Sequence, residues 1–427
     1  MSNRETLIIH NSTLSGNTLT CTYNVGSEEF KSSYTFPRTI DKKTPQLQKL
    51  CEWVTIITSL GLFSIDYFEN IKTDFELSEQ EAQFFEKLIF LGLGEFRYSN
   101  KIPINTKTVI LGKHATHKAT PAKKSIQSQL KPLLLNGGGK DGSVSALLLK
   151  EAGIDFTWFN RGESTAQKNV IKTWSAPSVT VIRTLDPKRK NRKYSGHRPI
   201  SAGIAFLALL TAHAYNYSAV ITSNELSANE GNFTLDGFDI NHQYSKSIEF
   251  ERDLQNLLSL FDIQEQYFSL LRPLHELQIA TIAARLTDKQ LQAITSCNNG
   301  TQNGSWCMHC AKCAFVVLIM TAASPAAADK IWGSGAINNP GLFQHFEALL
   351  DPMVDKPLEC VGTLQECQLA AYMILRNPGT MLKPATRQVL SSYARSRDSD
   401  LLHEWGDSLI PEGYKNVVEL MKARIKR

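Results

Sequence analysis

The chain has 427 residues, 42% of them hydrophobic and 20% charged, a balance that fits two or three packed domains and excludes wholesale disorder. Its 46 basic and 41 acidic side chains leave a net charge of only +5, without the clustered basic stripe of a nucleic-acid binder. The longest apolar run, Ala314–Ala323, falls well short of the roughly 20 residues of a membrane span, and the first residues, MSNRETLIIHNSTLSG, show no basic segment leading into an apolar core, so a cytoplasmic location is expected.

Residues 1–113 alternate short β-like runs (Thr6–His10, Thr18–Tyr23, Phe30–Phe36) with helical segments at Thr44–Ser64 and Ser78–Gly92, and are expected to form a small α+β N-terminal domain. The second helix opens on Ser78-Glu79-Gln80-Glu81, a capping-box pattern. The polar, lysine-rich stretch 114–130, broken by Pro121, reads as an inter-domain linker or as a surface loop within one domain. From residue 131 strands and helices alternate. Lys131–Asn136, Asp155–Asn160, Ser178–Arg183 and Ser218–Ser223 are the strands, and helices are expected over 143–152 and Pro199–Tyr215. Such alternation implies βαβ units and an α/β core over 131–295, its parallel sheet covered on both faces. From 242 to 427 the chain reads as mainly helical, with 296–427 a four-cysteine knot and helical C-terminal region, and no internal repeat stands out. The one basic run, Lys188–Lys193, reads as a solvated loop or as a contact for a polyphosphate or nucleic acid.

The segment LLLNGGGKDGSVSALLL carries the strongest chemical signal. A buried strand ends at Asn136, Gly137, Gly138 and Gly139 follow, and a helix begins near Ser143. Glycines let backbone N–H groups close around an anion, and a helix N-terminus adds partial positive charge. Lys140 and Ser143 supply further donors, while Asp141 suits Mg²⁺ on bound phosphates. The spacing is not that of Walker A. It resembles the SGGxDS signature of the PP-loop ATP pyrophosphatases, with Gly142 standing where the family usually has a serine. The resemblance implies ATP as a substrate and an adenylated intermediate. Ligands sit at the carboxyl ends of parallel strands, which places Arg161, Arg183 and Glu225 beside the same nucleotide.

Eight cysteines in a chain without a secretion signal point to metal rather than to disulfides. Cys297, Cys307, Cys310 and Cys313 fall within seventeen residues, at the spacing of a four-sulfur structural Zn²⁺ site; an iron–sulfur cluster is the rival, and His309 is an alternative ligand. A PP-loop followed by a four-cysteine knot is similar to the 7-cyano-7-deazaguanine synthases, the QueC group, and Leu271-Arg272-Pro273-Leu274-His275-Glu276-Leu277 resembles the PL..L element of that superfamily.

Four longer segments narrow the family. SNELSANEGNFTLDGFDINHQYSKSIEFERDL (223–253), YFSLLRPLHELQIA (267–280), SWCMHCAKCAFV (305–316) and KPLECVGTLQE (356–366) resemble the UDP-N-acetylmuramoyl-L-alanyl-L-glutamate epimerases, the MurL family, in the same order. That resemblance implies ATP-dependent inversion of a terminal L-glutamate on a nucleotide-sugar peptide, with release of AMP and pyrophosphate. Within it, proton transfer falls to His242 or to Cys360 beside Glu359. Lys140 and Asp141 serve the activation step, and His197, Lys246, Arg252 and Arg272 are expected to meet anionic substrate groups. Residues 242–261 read as one amphipathic helix with Lys246, Glu249 and Asp253 on one face, which an exposed ion-pair face explains equally well. Cys360 and Cys367, seven apart, read as sharing a helix face, and packing explains that as well.

Two other readings compete. A QueC-like ligase would adenylate a deazaguanine carboxylate or a protein terminus, as in bacterial defence systems, where a protein partner would be expected. A binding module that lost its chemistry would show a broken loop, which Lys140, Asp141 and Ser143 argue against.

Overall fold

The computed structural model describes residues 6–112, 130–190, 192–395 and 399–425. The expected linker at 114–130 lies almost wholly outside the described residues.

The N-terminal elements follow the sequence closely. Strands β1 (Thr6–Ile9), β2 (Thr13–Ser15), β3 (Thr18–Val25) and β4 (Glu28–Thr35) precede helix α1 (Pro45–Ser59), which starts at Thr44, whose hydroxyl accepts the Leu47 N–H. The Gly26-Ser27 turn between β3 and β4 has Gly26 at φ 57, the left-handed conformation a two-residue hairpin needs. Strand β5 (Asn70–Thr73), helix α2 (Glu79–Gly92), helix α3 (Gly94–Ser99) and strand β6 (Val109–Leu111) complete this stretch. The capping box at Ser78 and Glu81 is formed, and Glu81 also accepts from Trp53 Nε1 at 2.7 Å, fixing α2 against α1.

The alternating region gives β7 (Pro132–Leu135), α4 (Lys140–Glu151), β8 (Thr157–Arg161), α5 (Thr165–Lys172), β9 (Ser178–Leu185), α6 (Ile200–Tyr215), β10 (Ala219–Thr222), β11 (Phe233–Leu235), β12 (Phe238–Ile240), α7 (Ile248–Leu260) and β13 (Gln266–Ser269). Helix α4 begins three residues earlier than expected, so Lys140 and Asp141 lie in its first turn. The basic run is not simply a solvated loop, because Arg189 is only half-exposed and its guanidinium fills the space where a Cβ on Gly61 would stand. Burial and the neighbouring Arg183 and Arg198 push Arg189 down to about 10.

The C-terminal part is helical: α8 (Glu276–Ala283), α9 (Asp288–Ala293), α10 (Ala311–Ala323), α11 (Pro325–Trp332), α12 (Phe343–Leu350), α13 (Leu364–Arg376), α14 (Pro384–Tyr393) and α15 (Lys415–Ile425). The long apolar run is the interior of α10, buried on every side against α8, α12 and α13. No helix among the described residues is long and apolar enough to cross a membrane.

The protein is α/β with a mixed, mostly parallel main sheet, whose antiparallel pairings all involve strands of the N-terminal region. Its hairpin supplies the antiparallel part: β3 pairs antiparallel with both β1 and β4, and β9 runs antiparallel to β4 with Tyr34 opposite Arg183. Two expectations are corrected. Tyr244–Lys246 is a 3₁₀ turn and Ser247 caps α7, its hydroxyl accepting the Phe250 N–H, so Lys246 shares no helix face with Glu249 and Asp253. Those two acids instead bind Lys87, each at 2.7 Å. Cys360 lies ahead of α13, while Cys367 is buried within it.

The chain divides into two compact units. One comprises residues 1–133, 179–220 and 234–267, with strands in the order β9-β4-β3-β1-β5-β6; its core stacks Trp53, Phe84, Phe85, Phe206 and Phe250 edge-on or tilted. The other comprises 134–178, 221–233 and 268–427 and holds β8, the ends of β7, β10 and β13, and the helices that pack on α10.

Candidate functional site

In the second unit the chain leaves β7 through Asn136, which is buried and shapes the glycine loop. Its Oδ1 accepts the Gly138 N–H at 2.9 Å, and its Nδ2 donates to Asn160 Oδ1 at 2.9 Å and to the Gln167 carbonyl at 3.2 Å. Gln167 Nε2 donates back to the Asn136 carbonyl at 2.8 Å. Gly138 sits at φ 78, and a Cβ there would come within 2.6 Å of the Ala166 Cβ. A Cβ on Gly139 would stand 2.8 Å from Ser296 Oγ, which accepts the Lys140 N–H at 3.1 Å. Gly137 alone of the three faces open space. The loop is therefore held open from behind, a shape that fits an anion approaching on the Gly137 side at the start of a twelve-residue helix. Ser143 is buried, its hydroxyl donating to the Gly139 carbonyl at 3.2 Å.

Lys140 is 0% exposed and donates to both Asp141 and Glu276. Burial works against its charge, but the two carboxylates outweigh it and raise the lysine's pKa. Glu276, equally buried, is pushed up to about 7: burial is the main cause, Asp141 and Glu225 add repulsion, and Lys140 and Lys312 oppose them. Lys312 Nζ lies 4.0 Å from Glu276 Oε1 and donates to the Cys360 carbonyl. Asp141, Glu225 and Glu276 thus share this water-poor site with Lys140 and Lys312.

A second buried carboxylate positions the first. Glu366 Oε1 accepts the Glu276 N–H at 2.5 Å, and its Oε2 accepts the Thr363 N–H at 2.9 Å, so one side chain ties the starts of α8 and α13 together. Burial alone would raise Glu366, yet the His275 ring 3.7 Å away and the Thr363 donors hold its pKa below the usual carboxylate range. His275 in turn meets Glu404 at 3.2 Å.

The sequence-predicted residues distribute unevenly. Arg161 ends β8 in this unit, and Glu225 is buried here with its carbonyl accepting from Arg272 Nη1 at 2.9 Å. Arg272 is 0% exposed, so its guanidinium braces the chain after β10. Glu359 accepts from Asn298 Nδ2 at 2.7 Å, which links the Cys360 segment to the residue after Cys297. Arg183, His197, His242, Lys246 and Arg252 belong to the other unit. Arg183 is exposed on β9 and Arg252 exposed on α7, while Lys246 Nζ reaches Gln243 Oε1 at 3.4 Å. Sequence reasoning missed Glu276, Lys312 and Glu366, although it singled out the segments that contain them.

Cys297, Cys307, Cys310 and Cys313 converge, their sulfurs all within 4.8 Å of one another and none in a disulfide. The Cys307–Cys313 separation of 3.7 Å matches the ~3.8 Å edge of a tetrahedron with ~2.3 Å metal–sulfur bonds, so the set fits a four-sulfur Zn²⁺ centre of the structural kind. His309 points instead to the Cys307 carbonyl at 2.6 Å and is not among the converging ligands.

The first unit holds a cluster of its own. His242 Nδ1 hydrogen bonds to Glu95 Oε2, and the His197 ring lies against His242 with centroids 4.1 Å apart. Burial, then the positive charges of His242, Lys246 and Arg198, push His197 down to about 3, so its ring is neutral. Glu95 on α3 was not foreseen from the sequence.

These features define an α/β protein with a glycine-rich strand-to-helix loop, a buried lysine–carboxylate network and a four-thiol centre. Family models place it further. The MurL N-terminal domain matches residues 5–270 and the MurL C-terminal domain residues 293–403, and the chain belongs to the MurL family. It is 27% identical to a UDP-N-acetyl-alpha-D-muramoyl-L-alanyl-L-glutamate epimerase of Micromonospora sp. over 91% of each chain. It is also similar to the enzymes of that name from Salinispora tropica (26% identity, 92% of this chain and 90% of that one) and Xanthomonas oryzae pv. oryzae (28%, 77% and 75%).

Proposed function

We propose that this protein inverts the terminal L-glutamate of UDP-N-acetylmuramoyl-L-alanyl-L-glutamate through an acyl-adenylate, with ATP and water consumed and AMP and pyrophosphate released. The observation that carries the reading is the similarity to epimerases along nine-tenths of both chains, with the glycine loop, Lys140 and Asp141 inside the match to the MurL N-terminal domain. The same similarity favours the epimerase over a QueC-like ligase.

The chemistry accounts for the ATP. A proton on Cα beside a carboxylate is hard to remove, because the carbanion would form next to a full negative charge. Attack of the α-carboxylate on the α-phosphorus of ATP expels pyrophosphate and converts that carboxylate into a neutral ester-like acyl group. The Cα proton can then leave to give an enolate, stabilised by nearby donors. A proton returned from the opposite face inverts the centre, and water hydrolyses the mixed anhydride to AMP and the D-glutamyl product.

In this reading Gly137, Gly138, Gly139 and the start of α4 hold the phosphates, aided by Arg161, and Lys140 balances the carboxylates around them. Asp141 and Glu225 are the groups that would hold Mg²⁺, whose role is to neutralise phosphate charge. Cys360, whose carbonyl Lys312 already holds, is the proton-transfer group in the same unit, with Glu359 beside it. The zinc centre is structural: it ties the loop after Cys297 to the first turn of α10 and takes no part in the reaction.

The test is one incubation of protein, Mg-ATP and the L-glutamyl substrate in D₂O. The expected products are AMP and a D-glutamate residue carrying one deuterium at Cα. AMP with undeuterated L-glutamate, or no AMP at all, would overturn the proposal in favour of a ligase acting on another carboxylate.

A further inference from the structure

The first unit contains a feature that adenylation chemistry does not use. Glu95, His197 and His242 come from three separate stretches of chain: helix α3, the segment before α6 and the segment after β12. Their ligating atoms all lie within 4.8 Å of one another. Among the described residues the His197 ring has no hydrogen-bond partner, although it is half-buried and packed on His242. To the extent that it is withdrawn from water, an imidazole without a partner forgoes hydrogen bonds it would make in solution, unless something else occupies its lone pair.

The three segments are also held rigidly. Asn100, one residue past α3, accepts the Ser195 N–H at 3.2 Å and donates to the Ser195 carbonyl at 2.6 Å, which fixes the segment leading to His197. Gly92 approaches Pro199 so closely that a Cβ would stand 3.0 Å from it, and Gly94 faces Ile240, two residues before His242. This is a preformed arrangement of the kind a ligand set requires.

We infer that Glu95, His197 and His242 form a second metal site, for a divalent first-row transition ion such as Zn²⁺, distinct from the four-cysteine centre. Two imidazoles and one carboxylate are a borderline-soft donor set suited to Zn²⁺, Fe²⁺ or Mn²⁺ rather than to Mg²⁺ or Ca²⁺. Three protein ligands leave a coordination position open. One carboxylate does not neutralise a divalent ion beside Lys246 and Arg198, so that position selects an anionic oxygen from a phosphate or carboxylate ligand. The assignment makes His242 a metal ligand rather than a proton-transfer group, and it stands whether or not the epimerase reading does.

The full chain, expressed with zinc present and dialysed free of loose metal, is assayed by inductively coupled plasma mass spectrometry for Mn, Fe, Co, Ni and Zn. The expected content is two ions per chain for the unaltered protein, one for Cys310→Ser and one for His197→Ala. Glu95→Gln, which keeps a hydrogen bond to His242 and so guards against simple misfolding, is also expected to hold one. Equal metal content in the unaltered protein and in both first-unit variants, at either one or two ions, overturns the assignment.

Discussion

Replacing Glu276 by glutamine tests the charge balance of the buried network directly. Inside the fold Glu276 ionises near 7, against 4.5 when exposed. Its folded pKa is raised, so its contribution to stability is complete below pH 4.5 and is lost as the pH climbs through 7. At about 1.4 kcal/mol per pH unit, that loss amounts to about 3 kcal/mol by pH 8. Glutamine fixes the neutral form. Glu276→Gln is therefore expected to match the parent protein near pH 4.5 and to exceed its stability by up to about 3 kcal/mol at pH 8. The contrary expectation is that removing one partner of a buried lysine costs about 3–5 kcal/mol. It does not govern here, because Asp141 still neutralises Lys140, and the neutral amide removes the repulsion that Asp141 and Glu225 exert on the Glu276 carboxylate. Urea unfolding followed by tryptophan fluorescence at pH 5, 6, 7 and 8 measures the difference, and titration of His275 cancels between the two proteins. A variant that is less stable at pH 8 and keeps the parent's pH slope would refute the reasoning.

Gly138→Ala is expected to cost about 1–3 kcal/mol, because φ 78 strains alanine and its methyl meets the fixed Ala166; an unchanged urea midpoint would contradict the loop geometry. Cys310→Ser should release the sulfur-bound zinc and lower the melting temperature, and a variant retaining both would exclude the four-thiol centre. Cys360→Ala should slow exchange of the substrate Cα proton with D₂O by at least about a hundredfold, the lower end of what a general acid or base supplies, while AMP formation in a single turnover persists. An exchange rate equal to the parent's would remove Cys360 from proton transfer.

What the sequence disclosed, and what it hid, follows the range over which each signal acts. Helix α2 was legible to within a residue because its start is written locally, in Ser78 and Glu81. The glycine loop was legible because strand, glycines and helix are contiguous, and the four cysteines because metal spacing is short. Glu276 was hidden although LRPLHEL stood out, because its partner Lys140 lies 136 residues away and no local period encodes that meeting. The same segment drew attention to Arg272, whose guanidinium the fold spends on the Glu225 carbonyl. Lys246 was misplaced on a helix because a periodic charge pattern continued across Ser247, whose hydroxyl in fact begins α7. Glu95 has no sequence signal, since it acquires meaning only when three separate stretches bring two histidines to it.

The charge count of the glycine-loop site also constrains how nucleotide enters under the proposed function. Asp141, Glu225 and Glu276 face Lys140 and Lys312, so a free polyphosphate would bring negative charge to a site that already holds three carboxylates. At the low effective dielectric of a buried pocket, each added like charge costs several kcal/mol at contact distance. A divalent ion arriving with the phosphates offsets that negative charge and leaves the lysines free to contact phosphate oxygen. Nucleotide binding is therefore expected to require Mg²⁺ rather than to be merely improved by it. Isothermal titration of ATP into the protein should show binding with Mg²⁺ and none within the micromolar-to-millimolar range in excess chelator at matched ionic strength. Because the chelator also threatens zinc, the zinc content of the titrated protein is measured afterwards. Tight ATP binding without Mg²⁺ in zinc-replete protein would mean that the three carboxylates do not face the nucleotide.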